Sequence, residues 1–299
     1  MTNAEIEAFL TICEYGSISK AAEKLFISQS SLSTKIKTLE KKVGCALFVR
    51  GKGVRGIHLT DDGRKFLELA IKYQKIIDEM MEIGKTDKTS KLRVSSFNSM
   101  GTYLLTPAYE NFLIKMPDVV LEIQDMATDS VYESMENGLT DLGFILSRRE
   151  SKKTVTYPAF SEPMVFICPQ NSNYPDIIEL NMLDVKNEIY IDWFNEFDKW
   201  HKEAFGAKAL PQLQLEIMSQ LEFFVTKNNN WTIAPKSVAC GLARDNKVKI
   251  CSLAFDVPNR VTYCVYVPDK SKASIIKCFL GCFKDTLLSF KNMDIDIYI

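Results

Sequence analysis

The chain has 299 residues, of which 46% are apolar and 25% are charged, a composition typical of globular proteins. No apolar run approaches the roughly 20 residues that a membrane-spanning helix needs, and the amphipathic start MTNAEIEAF does not predict a signal peptide. The net charge of −1 is unevenly distributed, because residues 1–60 carry +4 and the remaining residues −5. A basic head on an acidic body indicates that only the head meets a polyanion.

The cysteines predict no metal chemistry. Eight cysteines are scattered without a CxxC pair and only two histidines are present, so we expect neither a metal site nor a cofactor. Scattered thiols without an export signal favour a reducing, cytoplasmic location. Control by thiol oxidation stays an alternative, which would require two cysteines that lie close together in the fold.

The N-terminal segment has the pattern of three helices. Apolar residues at helical spacing predict a first helix that ends at Gly16, and Ser19 is the predicted N-cap of a second, short helix. After a turn, Ser28 is the predicted cap of a third helix, which runs from Gln29 to about Val43. The predicted buried stripe of this third helix consists of Leu32, Ile36, Leu39 and Val43.

The opposite side of the third helix carries short polar and basic side chains. Such groups hydrogen-bond base edges or neutralise phosphates, so the pattern predicts a helix-turn-helix whose third helix enters the major groove. A small bundle of solvated helices is the alternative interpretation. The predicted DNA contacts on this helix are Ser28, Gln29, Ser30, Ser33, Thr34 and Lys37.

Two features follow the third helix. The stretch ALFVRGKGVRGIHLT has two β-prone runs around a Gly-rich turn and predicts a hairpin wing that contacts DNA through Arg50, Lys52 and Arg55. Residues 60–84 then form a long predicted helix whose apolar residues alternate at spacings of four and three, as in a coiled coil. Packing on its own chain is the alternative to dimerisation. The predicted dimerisation residues are Phe66, Ala70, Tyr73, Ile77 and Met80.

The run AAEKLFISQSSLSTKIKTLEKKVGCALFVR, followed by the wing and HLTDDGRKFL, resembles the LysR-type transcriptional regulators. The resemblance is dense over residues 1–65 and looser beyond, although the order of domains persists. The family pattern fits Ser28, Gln29, Ser33 and Arg50. Ser30 and Thr34 stand where the family often has Pro and Arg, so the resemblance does not define the operator sequence.

Beyond a polar hinge at residues 84–91, the body alternates strands and helices. Strands are predicted at 92–97, 119–124 and 142–146 and helices at 100–115 and 130–137, which indicates a parallel sheet covered by helices. The resemblance implies a periplasmic-binding-protein-like domain of two lobes, and we place the crossings between them near residues 160 and 268. The predicted domains of this α/β protein are a winged helix-turn-helix (1–60), a linker helix with hinge (61–87) and an effector-binding domain (88–299), with lobe I at about 91–160 and 268–299 and lobe II at about 161–267.

Ligands of parallel sheets bind where strands end and helices begin. Asn98 and Ser99 follow the first strand of the body and Thr128 follows the second, and the resemblance implies that these positions line the effector cleft. Helix capping is the alternative role for both hydroxyls, and it is the role that we expect for Ser130 and Ser219. In the segment NNNWTIAP, the resemblance places Trp231 near the cleft, where its bulk would narrow the space for an effector.

These patterns together predict a ligand-responsive regulator that binds double-stranded operator DNA as a homodimer and responds to a small-molecule effector. The resemblance further implies a homotetramer. The contrasting hypothesis is an α/β enzyme with a DNA-binding tether. The sequence lacks a GxSxG elbow, a Walker A loop, a GxGxxG turn after a strand and an HExxH pair, so no enzyme is predicted.

Overall fold

The computed structural model describes residues 1–49, 57–82, 90–151, 153–269, 271–290 and 293–299. The chain divides into two compact units, Met1–Lys88 and Thr89–Ile299. In the described parts of the chain, every helix is too short or too polar to cross a lipid bilayer.

The first unit contains α1 (Asn3–Tyr15), α2 (Ile18–Lys24), α3 (Gln29–Val43) and α4 (Asp61–Glu82). Gly16 ends α1 with a left-handed φ of 60°, a conformation that glycine adopts without strain. Ser28 caps α3 as predicted, since its hydroxyl accepts from the Ser31 N–H at 3.1 Å. The predicted cap of α2 is wrong by two residues, because the Ser17 hydroxyl accepts the Lys20 N–H and Ser19 lies inside the helix.

The core of this unit lies between the helices. Leu32, Ile36 and Leu39 are buried as predicted and pack with Ile6 and Phe9 of α1. The stripe ends there, because Val43 is 39% exposed in the last turn of α3 and does not reach this core. The two sides of the predicted wing pair antiparallel through Phe48 and Leu59. Arg50, Lys52 and Arg55 lie outside the described residues.

The apolar seam of α4 has two uses. Ala70 is buried in the core of its own head, and Phe66 and Tyr73 pack against the same core. The Phe66 ring lies 4.9 Å from that of Phe9. Ala70 is thus buried within its own head, whereas Phe66 and Tyr73 are only partly buried against it, and their role in a dimer seam stays a prediction. Of the exposed apolar side chains of α4, Leu69, Ile76 and Met80 form a neighbouring row, and Met81 lies on another side of the helix.

The second unit begins with the predicted βαβαβ order. The strands β1 (Ser90–Ser96), β2 (Val119–Asp125) and β3 (Leu142–Ile145) are joined by α5 (Asn98–Met100), a π-helical turn (Gly101–Leu105), α6 (Thr106–Lys115) and α7 (Thr128–Glu136). Strand β1 pairs in parallel with both β2 and β3, which confirms the predicted parallel sheet. Ser90 and Lys91, predicted as hinge, already belong to β1.

The remaining elements complete the first sheet and form two more. They are β4 (Val155–Glu162), β5 (Met164–Pro169), β6 (Ile177–Ile178), β7 (Ile189–Tyr190), α8 (Asn195–Phe205), β8 (Leu213–Gln214), α9 (Leu221–Val225), β9 (Thr232–Pro235), α10 (Lys236–Leu242), β10 (Val248–Leu253), β11 (Arg260–Tyr266), α11 (Ala273–Ser289) and β12 (Asp296–Ile297). The larger sheet has the order β12-β4-β11-β3-β1-β2, the smaller sheet β6-β10-β5-β9, and β7 pairs with β8. We call the part built on the larger sheet lobe I and the part built on the smaller sheet lobe II.

The second predicted crossing between the lobes is wrong. The chain first crosses at Pro163, between β4 and β5, close to the predicted position near 160. It returns between β10 and β11, at residues 254–259, and not near 268. The reason is that β11, predicted as part of lobe II, pairs antiparallel with β3 and β4 of lobe I.

Trp231 lies in the hydrophobic core of lobe II. This side chain is fully buried, its ring stacks on Phe166 and its Nε1 donates to the Asp184 carbonyl at 3.0 Å. The expectation that Trp231 narrows the cleft is therefore wrong.

Ser130 lies within α7 and Ser219 within a 3-10 turn, so neither is the predicted cap.

Candidate functional site

The outer face of α3 carries three polar side chains without a partner among the described residues. Gln29, Ser33 and Lys37 are spaced by four residues and therefore lie along one side of the helix. Towards the other described residues, these three side chains make no hydrogen bond or ion pair. An amide, a hydroxyl and an ammonium in one row can satisfy their hydrogen bonds with base edges and phosphates.

The other predicted DNA contacts on α3 have internal partners. The Ser28 and Ser30 hydroxyls lie 2.9 Å apart, and the Thr34 hydroxyl donates to the Ser30 carbonyl at 2.9 Å. Ser28, Ser30 and Thr34 line an open groove of about 420 Å³ together with Thr2 and Lys35. The predicted DNA contacts on α3 therefore fall into two groups. Gln29, Ser33 and Lys37 have no partner among the described residues, whereas the hydroxyls of Ser28, Ser30 and Thr34 form hydrogen bonds within α3 or at its cap.

Two carboxylates that the sequence analysis did not single out fix the head around α3. Glu40 is buried, and its Oε1 accepts the Leu47 N–H at 2.9 Å, which joins α3 to the stem of the wing. Glu5 on α1 pairs with Lys42 at 2.7 Å. The Lys42 ammonium and the Thr2 N–H hold the pKa of Glu5 below its usual value. The sequence could have indicated these two residues, because each glutamate lies on an otherwise apolar helix face.

The predicted effector residues lie at one edge of lobe I. Asn98, Ser99 and Thr128 follow the carboxyl ends of β1 and β2, which are parallel neighbours. Each has a partner within the chain. Asn98 Nδ2 donates to Asp125 at 2.9 Å, Ser99 Oγ accepts from Arg260 Nη1 at 2.9 Å, and Thr128 Oγ1 accepts the Leu146 N–H at 3.1 Å.

The partner of Ser99 belongs to a buried ion pair that the sequence analysis missed. Arg260 is 1% exposed and Glu162 is fully buried, and Arg260 Nη2 donates to Glu162 Oε1 at 2.6 Å. A charged residue at the end of an apolar strand is rarely buried without a partner. The positions of Glu162 and Arg260 at strand ends could therefore have indicated a buried ion pair. That signal does not identify the partner, since the two residues are 98 positions apart.

The two lobes also touch through the π-helical turn. A Cβ atom on Gly241 of α10 would lie 2.1 Å from Cδ1 of Tyr103, so glycine allows the ring to rest on this helix. Tyr103 packs against the core of lobe II, and burial raises the pKa of its hydroxyl. π-Helical turns of this kind recur at functional sites. Within the described ranges, no three His, Cys, Asp or Glu residues gather closely enough to hold a metal ion.

A winged helix-turn-helix head followed by a two-lobed α/β domain is the architecture of regulators that join a DNA-reading module to a ligand-binding module. Residues 4–64 match the family of bacterial regulatory helix-turn-helix proteins of the lysR type, and residues 85–288 match the LysR substrate binding domain. The chain belongs to the LysR family of transcriptional regulators. This confirms the predicted family and fold class.

Individual relatives agree with this assignment. The chain is 24% identical to the regulator CitR of Bacillus subtilis over 200 residues, which cover 65% of this chain and 67% of CitR. It is 30% identical to YcgK of the same organism over 170 residues, covering 55% of this chain and about half, 52%, of YcgK. The full-length structure of CbnR in complex with its target DNA superposes with a TM-score of 0.71 at 19% identity, covering 96% of this chain and 100% of CbnR. At that identity the superposition shows the fold.

Proposed function

We propose that the chain binds a double-stranded DNA operator as a homodimer, through α3 and the wing, and that a small-molecule effector bound between the lobes controls this binding. The observation that carries the proposal is the row of side chains at Gln29, Ser33 and Lys37, which lack partners among the described residues and lie on the third helix of the segment that matches the helix-turn-helix family. A protein that acts on operators works in the cytoplasm, and we assign it no catalytic step and no cofactor.

We expect Gln29 and Ser33 to read bases. Replacing either with alanine should weaken binding to the cognate site by about 10- to 100-fold, the range for one direct base contact, and change binding to random DNA by less than about twofold. Lys37→Ala should weaken binding to the cognate site and to random DNA alike. It should also reduce the slope of log affinity against log salt concentration by about one. Fluorescence anisotropy over a salt series measures all three effects.

Thr38→Val is the matched control for this series, because the Thr38 hydroxyl donates to the Thr34 carbonyl within the helix. It should leave the ratio of cognate to random affinity unchanged. Equal losses on both DNAs for Gln29→Ala and Ser33→Ala would contradict their assignment as base readers.

We place the dimer contact of the linker on the exposed row of α4, with Ile77 at its edge. Ile76 and Met80 are 49% and 57% exposed, and apolar rows of this length on a helix are stabilised by a partner helix. Ile76→Asp should dissociate the dimer, which sedimentation velocity reports as a halved mass. The control Lys65→Asp changes an exposed residue at the start of the same helix and should leave the mass unchanged. A dimer that survives Ile76→Asp would contradict the assignment of the dimer contact to this row.

Assembly of the dimers into a homotetramer is an expectation from the resemblance.

The effector group nearest Ser99 and Thr128 should be a hydrogen-bond acceptor. Both hydroxyl oxygens already accept an N–H from the chain, so each retains its own proton to donate. Carboxylates and carbonyl compounds can accept from both hydroxyls. A thermal-shift screen of carboxylates against amines tests this, and stabilisation by amines alone would contradict it.

Cys168 and Cys251 lie within hydrogen-bonding reach of one another, but the raised pKa of three of the eight thiols favours ligand control over thiol control at those positions. The thiolate is the form that reacts with oxidants. Burial raises the pKa of Cys251 and of Cys264 to about 12 and that of Cys13 to about 11, which keeps these thiols protonated. If DNA binding responds to an oxidant and Cys→Ser changes remove the response, the redox alternative gains support. Chemical conversion of a bound ligand would instead support the enzyme hypothesis.

A further inference from the structure

Glu162 and Arg260 lie where the chain passes between the lobes. Glu162 ends β4 and Arg260 begins β11, and the two residues face one another in the antiparallel register of these strands. Arg260 Nε and Nη2 donate to the same carboxylate oxygen at 3.1 and 2.6 Å. The pair therefore joins the two crossings at a single, fully buried point.

Both residues belong to strands of lobe I, and their hydrogen bonds reach a second residue of lobe I and one residue of lobe II. On the side of lobe I, Ser99 Oγ accepts from Arg260 Nη1 at 2.9 Å. On the side of lobe II, Ser237 Oγ accepts from Arg260 Nη2 at 3.3 Å and the Ser237 N–H donates to Glu162 Oε2 at 2.8 Å. A rotation of one lobe about the crossings would stretch the bonds to Ser237.

An aromatic ring from each lobe completes the surroundings of the guanidinium. Cζ of Arg260 lies 5.1 Å from the Phe97 ring of lobe I and 6.0 Å from the Trp193 ring of lobe II. The planar guanidinium can donate in its plane while its faces contact rings, which the ammonium of lysine cannot do. The site thus fits arginine and holds it from both lobes.

We propose that Arg260 is a positioning residue for the effector response: Ser99 holds its guanidinium within lobe I, and its bond to Ser237 crosses to lobe II and stabilises one arrangement of the two lobes. An effector shifts an equilibrium between arrangements only by binding one of them more tightly. The bonds of Arg260 set the free-energy difference that the effector has to overcome. This inference rests on the proposed function, since it concerns the same junction between the lobes.

Hydrogen exchange of the full-length protein, without effector or DNA, tests the proposal. Ser99→Ala removes the anchor in lobe I, and the response is followed in lobe II at the amides of residues 236 and 237, which donate to the Pro163 carbonyl and to Glu162. Ser237→Ala removes the anchor in lobe II, and the response is followed in lobe I at the amides of Met100 and Gly101, which donate to the Phe97 carbonyl.

We expect each variant to accelerate exchange in the opposite lobe by about tenfold, the factor for losing one hydrogen bond to a charged group. The matched control is Ser134→Ala, which removes a buried serine hydroxyl that bonds Thr140 within lobe I. It should leave the amides of residues 236 and 237 unchanged. Acceleration that stays within the mutated lobe, in either variant, overturns the proposal. The readout requires no ligand, so failure of the junction to bind any small molecule would contradict the proposed function alone.

Discussion

Replacing Arg260 with methionine should lower the free energy of unfolding of the effector domain by about 3–5 kcal/mol, the usual loss when one partner of a buried ion pair is removed. Glu162 is fully buried and accepts two of its hydrogen bonds from Arg260, so the variant leaves a buried carboxylate without its counter-ion. Urea denaturation of the full chain, followed by tryptophan fluorescence, measures this loss.

A second change separates the charge from the shape of the site. Glu162→Gln in the Arg260→Met background removes the uncompensated charge and keeps an amide oxygen that can accept the Ser237 N–H. We expect the double variant to recover at least half of the lost free energy, since buried pairs can often be replaced by neutral groups at small cost. A loss below about 1 kcal/mol in the single variant, or a double variant that is additively worse, would contradict the assigned role of the pair.

Gly63→Ala should unfold or strongly destabilise the head, by about 3 kcal/mol, the upper end of the usual cost of overpacking. A Cβ atom at this position in the first turn of α4 would lie 2.1 Å from the Leu47 carbonyl oxygen. That oxygen belongs to the backbone and accepts the Thr60 N–H at 3.0 Å, so it cannot move aside as a flexible side chain would. DNA affinity should fall with the stability of the head.

Gly281→Ala provides the matched control for this change. Gly281 lies in α11, and a Cβ atom there would meet no heavy atom within 4 Å. Because alanine is the better helix former, this variant should be more stable by about 0.5–1 kcal/mol. Equal stability of Gly63→Ala and the wild-type protein in thermal unfolding would show that the contact at Leu47 is wrong.

The elements with strong local signals were predictable from the sequence. The helix α3 begins and ends where the Ser28 cap and the apolar spacing predict, because both signals act within a few residues. The parallel pairing of β1 with β2 and β3 followed from the alternation of strands and helices. Asn228 adopts a left-handed φ of 56°, in keeping with the ability of asparagine to take this conformation.

Choices between two competing partners were not predictable from the sequence. The β-prone composition of β11 is compatible with either lobe. Its place in lobe I is fixed by pairing with β3 and β4, which the sequence does not reveal. The helix α4 carries two adjacent apolar rows, and the pattern does not say that Ala70 is buried in the head. For Arg260, the obstacle is sequence distance, since Ser99 lies 161 positions away.

Operator recognition by Gln29, Ser33 and Lys37 of α3 can be measured by incubating the purified full-length protein with sheared DNA from its own source and sequencing the retained fragments. We expect a few strongly enriched sites that share a core with two-fold related halves, and we expect Gln29→Ala to lose this enrichment while still retaining DNA. Retention without any site preference, or an enrichment that Gln29→Ala leaves intact, would contradict operator recognition by these residues.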